Sequence, residues 1–388
     1  MRDVVSETAR PQPPVRGYRM EMAFGFRSAC RRGIAYGLAA WALAGGWLSG
    51  QTPPGTPRSG GYREEARVER VVIDAHVTDG RGESIPGLER RDFRVVVDGR
   101  PVPLESVEWV PAGEPEVPSD ATGADAPPGA PDGSRSGRRA ETAPGRLLIF
   151  FFQTDYTISR LVGLVRMGLQ ARRFLDTLLP TDRVAVLSFD SHLKLRQDFT
   201  ADRARILAGI HDALRTGPAP AVAPEPGPSL ARHFDYAGAR RAVTPERALA
   251  LIAGAAEPIL GGKSLLFFGW GLGTIGGLAG PNPRDQIDYA DALPALARAR
   301  ITIFSLDVTN ADYHSLEGSL ANIADLTGGA YAKTHIFPGL AMERVRRAIS
   351  GRYVLVFRKP EGPRGFHETR IALVGRKGTV FARRYYED

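Results

Sequence analysis

The sequence RLLIFFFQTDYTISR, residues 146–160, decides the fold class. Its first half is an apolar run of strand length, which is typical of a β-strand buried on both faces of a sheet. The run ends in side chains that carry oxygen, among them Gln153, Asp155 and Thr157. The stretch therefore predicts a core strand that delivers polar groups to the edge of a sheet.

Strands and helices alternate along the chain after this stretch. The apolar runs RVAVLSF (183–189), KSLLFFG (263–269) and ITIFSLD (301–307) predict further buried strands, and the segments between them carry apolar residues at helical spacing. This alternation predicts an α/β domain over residues 146–350. We expect an open, mainly parallel sheet with helices on both faces.

The two flanking segments, residues 67–112 and 351–388, have the alternation of apolar and polar residues that antiparallel strands show. Asp79-Gly80 and Asp98-Gly99 supply hairpin turn signals in the first segment. So few strands cannot bury a stable core alone. We therefore expect the two segments to pair in one small antiparallel β unit, with the α/β domain inserted between them.

The amino-terminal residues resemble a targeting segment. Arg31 and Arg32 precede an apolar stretch that is shorter than a membrane span and ends in small residues. Residues 1–50 are therefore predicted to be a signal peptide, with an uncleaved anchor as the alternative and a later Met as a possible start. Cys30, the single cysteine, precedes the predicted cleavage point, so we expect no disulfide in the mature protein.

The composition describes a chain that is mostly folded. Of its 388 residues, 43% are hydrophobic and 24% are charged, with a formal net charge of +8. That charge is scattered, whereas nucleic-acid binding needs a concentrated basic face.

Residues 51–66 are interpreted as a leader. Residues 113–145 are rich in Pro, Gly, Ala and Ser and are predicted to be a disordered linker, because they cannot bury enough apolar surface.

The loop that follows the first buried strand has two interpretations. Ligands of open α/β sheets bind beyond the carboxyl ends of the strands, and Mg²⁺ prefers oxygen ligands such as Asp155, the hydroxyl of Thr157 and the carbonyl of Gln153. Alternatively, Asp155 and Thr157 cap the following helix. The second interpretation is favoured, because a single carboxylate provides little attraction to offset the dehydration of the ion.

Three further patterns bear on function. Thr244, Pro245 and Glu246 have the pattern of a helix N-cap, a first-turn proline and a first-turn acid. The long loop 215–243 carries Phe234 and Tyr236, and is either a partner-binding lid or a tolerated insertion. The glycine-rich GLGTIG (271–276) fits the dinucleotide-binding signature G-x-G-x-x-G but is not followed by a helical pattern, so a glycine-rich surface loop is favoured.

One predicted hairpin carries the three residue types of a catalytic triad. Ser188, Asp190 and His192 lie two residues apart in LSFDSHLKL (187–195) and would share a face of a strand. No nucleophile elbow or oxyanion-hole pattern accompanies them. A polar hairpin edge is the favoured interpretation.

Four motifs carry a resemblance to a known family. They are VTDGRGESIPGLERRDFRVVVDG (77–99), LPTDRVAVLSFD (179–190), DFTADRA (198–204) and the carboxyl-terminal FHETRIAL with ARRYY (366–386). With these motifs the chain resembles von Willebrand factor type A (vWA) domain proteins, and in particular the VWFA-related family of acidobacterial genomes. The resemblance implies a vWA/Rossmann-like open sheet.

The resemblance also implies a metal-ion-dependent adhesion site. The first motif of that site falls on Gln153, Asp155 and Thr157, and its later threonine falls on Thr244. Its strand-four aspartate falls at or beside Trp270, and Asp307 is the candidate replacement. An amide and an indole thus stand where the family has carboxylates. The site is expected to be degenerate, with no cofactor or only weakly bound Mg²⁺ or another divalent cation.

Together these features predict an exported, non-enzymatic protein that mediates protein–protein interaction or adhesion in the periplasm, at the cell envelope or outside it. Phe234, Tyr236 and Trp270 are the candidate partner-binding residues. The alternative is an envelope hydrolase or metal-dependent enzyme that uses the strand-end polar cluster. A nucleic-acid partner and a membrane span in the mature form are not expected, and the partner and the oligomeric state stay open.

Overall fold

The computed structural model describes residues 69–114, 116, 145–215, 217–273 and 283–388, with the backbone alone for 283–287. These residues belong to one compact unit, Glu65–Asp388. The predicted signal peptide (1–50), the leader (51–66) and most of the predicted linker (113–145) lie outside the described residues.

Strand β5 (Leu147–Gln153) is the opening strand of the main sheet and is buried along its whole length. Its side chains alternate between two hydrophobic cores: Phe151 packs in one, and Phe150 and Phe152 pack in the other. A strand covered on both faces needs apolar residues at every position, which explains the uninterrupted apolar run. The predicted core strand is confirmed.

The main sheet has six strands among the described residues. They are β5, β6 (Arg183–Phe189), β7 (Leu193–Thr200), β8 (Lys263–Gly269), β9 (Ile301–Asp307) and β10 (Tyr331–Lys333). Their spatial order is β10-β9-β8-β5-β6-β7, and all neighbours are parallel except β6 and β7. Numbered along the chain, this is the doubly wound order 3-2-1-4-5-6, whose ligand crevice lies where strand order reverses. That point lies between the ends of β5 and β8.

Helices cover both faces of the main sheet. They are α1 (Ile158–Leu175), α2 (Arg203–Ala213), α3 (Tyr236–Arg241), α4 (Pro245–Ala256), α5 (Pro283–Arg298), α6 (Glu317–Thr327) and α7 (Pro338–Ala348). Apolar residues of α1, α2 and α7 pack on one face, and those of α3, α4, α5 and α6 pack on the other. The predicted α/β class is confirmed.

The flanking segments form two further sheets. Their strands are β1 (Arg70–Thr78), β2 (Phe93–Val97), β3 (Arg100–Val102), β4 (Leu104–Pro111), β11 (Gly351–Arg358), β12 (Phe366–Leu373), β13 (Thr379–Ala382) and β14 (Tyr385–Glu387). One sheet has the order β13-β1-β11-β4 and the other β14-β12-β2-β3. Ile73 lies opposite Leu355, and Val97 packs in one core with Phe357. The predicted pairing of the two ends of the chain is confirmed.

A group of largely buried ions, whose side chains are 8% to 19% exposed, joins this β unit to the amino end of the main sheet. We call Asp74, Glu116, Arg300 and Arg352 the amino-end ion cluster. Arg300 donates to both carboxylate oxygens of Asp74 at 2.9 and 2.7 Å. Arg352 donates to Asp74 at 3.1 Å and to Glu116 at 2.7 Å. Burial raises the pKa of Asp74, but Arg300 and Arg352 outweigh it, so that pKa lies far below its usual value. Glu116, which lies within the predicted linker (113–145), is thus paired with Arg300 and Arg352.

Lys263, the first residue of β8, is buried beside this cluster. Its ammonium group donates to the carbonyl oxygen of Ala299 at 3.0 Å and to that of Ile259. Burial, followed by the charge of Arg300, lowers the pKa of Lys263 to about 7. The folded state therefore disfavours the charged form of this side chain.

Candidate functional site

Gln153 connects the two strand ends at the point where strand order reverses. Its side-chain Nε2 donates to the carbonyl oxygen of Gly271 at 2.9 Å. Its Oε1 accepts from the backbone N–H groups of Trp270 and Gly271, at 2.9 and 3.3 Å. A carboxylate has no N–H to donate to Gly271, so the amide fits this position better than the carboxylate of the family motif. Gln153 therefore holds the loop after β8 and has no polar atom left for a metal.

Asp155 has both carboxylate oxygens engaged. Oδ1 accepts from the backbone N–H and the hydroxyl of Thr157, at 2.7 and 2.8 Å, and Oδ2 accepts from the guanidinium of Arg160. Burial raises the pKa of Asp155, but the hydrogen bonds from Thr157 and Arg160 outweigh it, and the pKa lies below its usual value. The carboxylate is therefore ionised, and its negative charge is stabilised by Thr157 of its own loop and Arg160 of helix α1.

Arg160 stacks on the indole of Trp270. Its guanidinium carbon lies 3.7 Å from the centroid of the Trp270 ring, a distance typical of a cation–π contact. The Asp155 and Arg160 side chains are 21% and 24% exposed, so the pair is reached by solvent along one side. We call Asp155, Arg160 and Trp270 the strand-end stack, and it lies at the predicted ligand crevice of the sheet.

Thr157 does not cap helix α1 with its side chain, although it is the N-cap residue by position. Its hydroxyl donates to Asp155 instead, and the carbonyl oxygen of Thr157 accepts from the backbone of Arg160 and Leu161. The capping interpretation is therefore wrong for the Thr157 side chain. Asp155 meets the N–H of Thr157 itself, at 2.7 Å, so the two side chains order the loop rather than the first turn.

Thr244 lies on a different element and does cap a helix. Its hydroxyl accepts from the N–H of Arg247 at 3.1 Å at the start of α4, as its sequence pattern predicts, and it donates to a carboxylate oxygen of Asp288. Glu246 in the same first turn accepts from the N–H of Gly273. Thr244 thus has its hydrogen-bonding capacity used within the chain.

Asp307 lies at the end of β9, with β8 between it and β5. At about 4.8 Å per strand, two strand spacings separate it laterally from Gln153. Its Oδ1 accepts from the N–H of Thr309 at 2.9 Å, and its Oδ2 accepts from His314 at 2.8 Å and from the hydroxyl of Tyr331 at 2.9 Å. Burial and the charge of Asp307 raise the pKa of Tyr331 far above its usual value. Asp307 thus belongs to its own polar group, and it does not contact Asp155.

No three His, Cys, Asp or Glu side chains of the described residues are grouped so that they could hold a metal ion. The five residues carried over from the family motif are accordingly divided among three places. Gln153, Asp155 and Thr157 lie together, and Thr244 and Asp307 each bind elsewhere.

Ser188, Asp190 and His192, the candidate triad residues, do not bond to one another. The hydroxyl of Ser188 accepts from Arg196 at 2.8 Å, Asp190 pairs with Lys194, and His192 Nδ1 lies 3.0 Å from the hydroxyl of Ser191. A triad requires the histidine to join the nucleophile to the carboxylate. At this hairpin the three side chains instead bind neighbouring groups of β6, β7 and their turn.

Phe234 is not available to a partner, because it is buried in one of the two main cores. Asp198 on β7 accepts from the hydroxyl of Ser229 at 2.6 Å and from the N–H of Leu230 at 2.7 Å, which draws the loop onto the sheet. Tyr236 stays partly exposed, and its hydroxyl donates to the carbonyl oxygen of Val222. The structure therefore corrects the placement of Phe234 at the surface.

Sequence reasoning missed Arg160 and His314. Arg160 is the third residue of α1, whose first turn contains no acid. A cation there opposes the helix dipole, so its presence was a signal that a nearby anion compensates it. His314 had no comparable signal, because its contact with Asp307 depends on the path of the loop after β9.

Among the described residues, none of the helices has the length and apolar character needed to span a membrane. No protein-family model matches the chain, and no curated protein matches it.

Several solved structures resemble parts of the chain. A von Willebrand factor type A protein from Catenulispora acidiphila is 11% identical, with a TM-score of 0.34, over 84% of this chain and 76% of that one. BatB from Bacteroides thetaiotaomicron is 13% identical, with a TM-score of 0.33, over 53% and 98%. Proximal thread matrix protein 1 from the mussel byssus, in a structure with a zinc-occupied MIDAS motif, is 14% identical, with a TM-score of 0.33, over 55% and 48%.

The sequence identities and the TM-scores are both low, so these similarities carry no conclusion about the function of this chain. The zinc ion is a property of the mussel protein. The class of the fold follows from the strand order and the covered faces described above. The solved structures that the chain resembles include von Willebrand factor type A domains.

Proposed function

We propose that this chain is an exported, non-enzymatic protein-binding module whose strand-end stack recognises a protein partner without a metal ion. The observation that carries the proposal is the position of the Arg160 guanidinium between the Asp155 carboxylate and the Trp270 ring. The predicted signal peptide (1–50) supports a site of action at or beyond the cell envelope.

The charge balance of the strand-end stack supports independence from metal. A divalent ion needs anionic ligands to offset its dehydration, and Asp155 is the only carboxylate in the loop QTDYTIS (153–159). To reach Asp155, the ion would have to displace Arg160 and leave its guanidinium beside a second cation. Arg160 therefore supplies within the chain the positive charge that a bound ion would supply.

The composition of the edge supports protein binding. Tyr156 is 54% exposed next to the partly exposed Asp155–Arg160 pair, and aromatic residues and arginine are enriched in interface hot spots. The hydrogen bonds of Gln153 fix the loop on which Trp270 lies. A partner would thus meet a preorganised surface, which lowers the entropy cost of association.

The arrangement of the polar side chains also favours a binding role over catalysis. Ser188 and His192 bond to other residues rather than to each other, and the Asp155 carboxylate is neutralised by Arg160. A general base at this edge would need a carboxylate or imidazole directed at a substrate. These contacts therefore favour a binding module over an enzyme.

Metal titration tests the proposal directly. Thermal melting of the full chain in Mg²⁺, Mn²⁺ or Zn²⁺ should give the same midpoint as in EDTA, since a ligand stabilises only a state that it binds. The Arg160→Gln variant, which frees Asp155, is the matched comparison. A metal-dependent rise in the melting temperature of the unaltered chain that is lost in Asp155→Asn would refute the proposal.

The binding role is tested by cross-linking the tagged chain to envelope proteins in EDTA and in Mg²⁺. We expect the same cross-linked protein in both buffers and its loss in Trp270→Ala. Phe366→Ser, which alters an exposed aromatic residue of β12 in the β unit, should retain it. Cross-linking that requires Mg²⁺, or that is unaffected by Trp270→Ala, would contradict the assignment of the strand-end stack.

A further inference from the structure

Helix α1 exposes a row of apolar side chains on the side that faces away from the sheet. Ile158, Val162, Val165 and Leu169 recur at intervals of three and four residues and therefore share one side of the helix. They are 43% to 78% exposed, although the opposite side of α1 already supplies the core. The row is not needed to cover the sheet, and large exposed apolar patches mark interaction sites.

The start of helix α7 extends this apolar row sideways. Ile336, Phe337 and Leu340 are 48% to 65% exposed. Arg166 of α1 donates to the carbonyl oxygen of His335 at 2.6 Å, which places the start of α7 beside the middle of α1. We call the four exposed residues of α1 and these three residues the α1–α7 face.

Arginines border the α1–α7 face. Helix α1 contains four arginines and no acidic residue. Arg172 and Arg344 are exposed, and Arg166 binds a backbone carbonyl. None of these three arginines forms an ion pair with a carboxylate of the described residues. The face thus combines an apolar centre with a positive border.

We propose that the α1–α7 face is a docking site for an acidic amphipathic α-helix of a partner protein. The row from Ile158 to Leu169 is about 16 Å long at 1.5 Å per residue, which is three turns of a facing helix. Apolar anchors at i, i+3, i+4 and i+7 of that helix would lie on the row. Its Asp and Glu side chains would meet Arg172 and Arg344 across the border.

The charge of the border distinguishes this occupant from a second copy of the chain. In a two-fold symmetric dimer the same patch meets itself, and the arginines of both copies would be brought together. The inference is also independent of the strand-end stack, because neither Asp155 nor Trp270 belongs to the face. It assigns a second surface and the chemical class of its partner.

A designed peptide tests the docking site. The probe is a fluorescent helical peptide of about five turns, with leucine at i, i+3, i+4 and i+7 and glutamate on both flanks. We expect its anisotropy to rise with added full chain, and the affinity to fall by at least about tenfold when lysines replace the glutamates. Val165→Glu and Arg172→Ala should each weaken binding by about tenfold or more.

Matched controls keep the test decisive. Val243→Glu makes the same exchange at an exposed valine before α4 and should bind like the unaltered chain. Circular dichroism should show that all variants are folded. Absence of peptide binding, or equal binding of the lysine peptide, would overturn the proposal. Two other occupants are tested in the same way: flotation with phosphatidylglycerol vesicles detects binding to a lipid surface, and sedimentation detects a dimer. If the acidic peptide did not bind and Val165→Glu abolished vesicle binding or dimer formation, the face would belong to that occupant and the proposal would be overturned.

Discussion

The two ends of the main sheet both carry charged side chains, but they use them differently. At the amino end, Asp74 and Glu116 are held by Arg300 and Arg352 in a cluster covered by the β unit. At the carboxyl end, one carboxylate and one guanidinium form a stack that solvent still reaches. The amino-end cluster is the more deeply buried of the two and connects the β unit to the main sheet. The strand-end pair is more exposed and lies within one loop and the helix that follows it.

The largest effect is expected at the amino end. Asp74→Asn leaves the largely buried Arg300 and Arg352 with a single carboxylate, and removing one partner from a buried ion pair costs about 3–5 kcal/mol. Urea unfolding should show this loss. Arg384→Ala removes an exposed pair with Asp325 and should cost less than about 1 kcal/mol. Equal losses in the two variants would contradict the structural role of the cluster.

Lys263, beside the same cluster, predicts a pH dependence. Its pKa is about 7 in the folded state, against an ordinary value of 10.5, so between these values the unfolded chain binds more protons. The free energy of unfolding should therefore rise with pH in this window, by up to about 1.4 kcal/mol per pH unit. Lys263→Met should flatten the rise, and Lys377→Met, at an exposed lysine, should leave it. An unchanged slope in Lys263→Met would refute the assignment.

The carboxyl end should respond more weakly. A double-mutant cycle with Asp155→Asn and Arg160→Gln should give a coupling energy of about 1 kcal/mol, because the pair is partly exposed. Chemical unfolding of the four chains measures it. A coupling as large as the loss in Asp74→Asn would erase the proposed difference between the two ends of the sheet.

Salt should give the smallest effect and sharpen the comparison further. Raising ionic strength from about 0.01 M to about 1 M shortens the Debye length from about 30 Å to about 3 Å. The Asp155–Arg160 coupling should fall by about half, since solvent ions reach the pair, while the cost of Asp74→Asn should change little. Repeating both unfolding series at the two salt concentrations checks this, and a parallel decrease would count against the difference in burial.

The fold was largely predictable because its signals are local. The apolar run of β5 predicted a strand covered on both faces, and the turn signals near Asp79 and Asp98 predicted antiparallel strands at the ends of the chain. The capping role of Thr244 also follows from adjacent residues. Each of these predictions depends on spacing along the sequence, which the sequence contains directly.

The site was less predictable because its contacts join distant segments. Arg160 meets Trp270 only because β5 and β8 are neighbours in the sheet, and this adjacency is a property of the whole topology. Phe234 was a candidate partner-binding residue because the aromatic and arginine content of its loop is common in interface hot spots. The buried Asp198 binds that loop and brings the phenyl ring into the core, which no local pattern indicates.

The pairing of β1 with β11 has a consequence for biosynthesis. The amino-terminal strands leave the ribosome first, yet the strand that completes their sheet is made only after the whole inserted domain. Until then, β1 presents open backbone hydrogen-bonding groups, which are a template for aggregation. The sheet can therefore close only after residues 351–358 have left the ribosome.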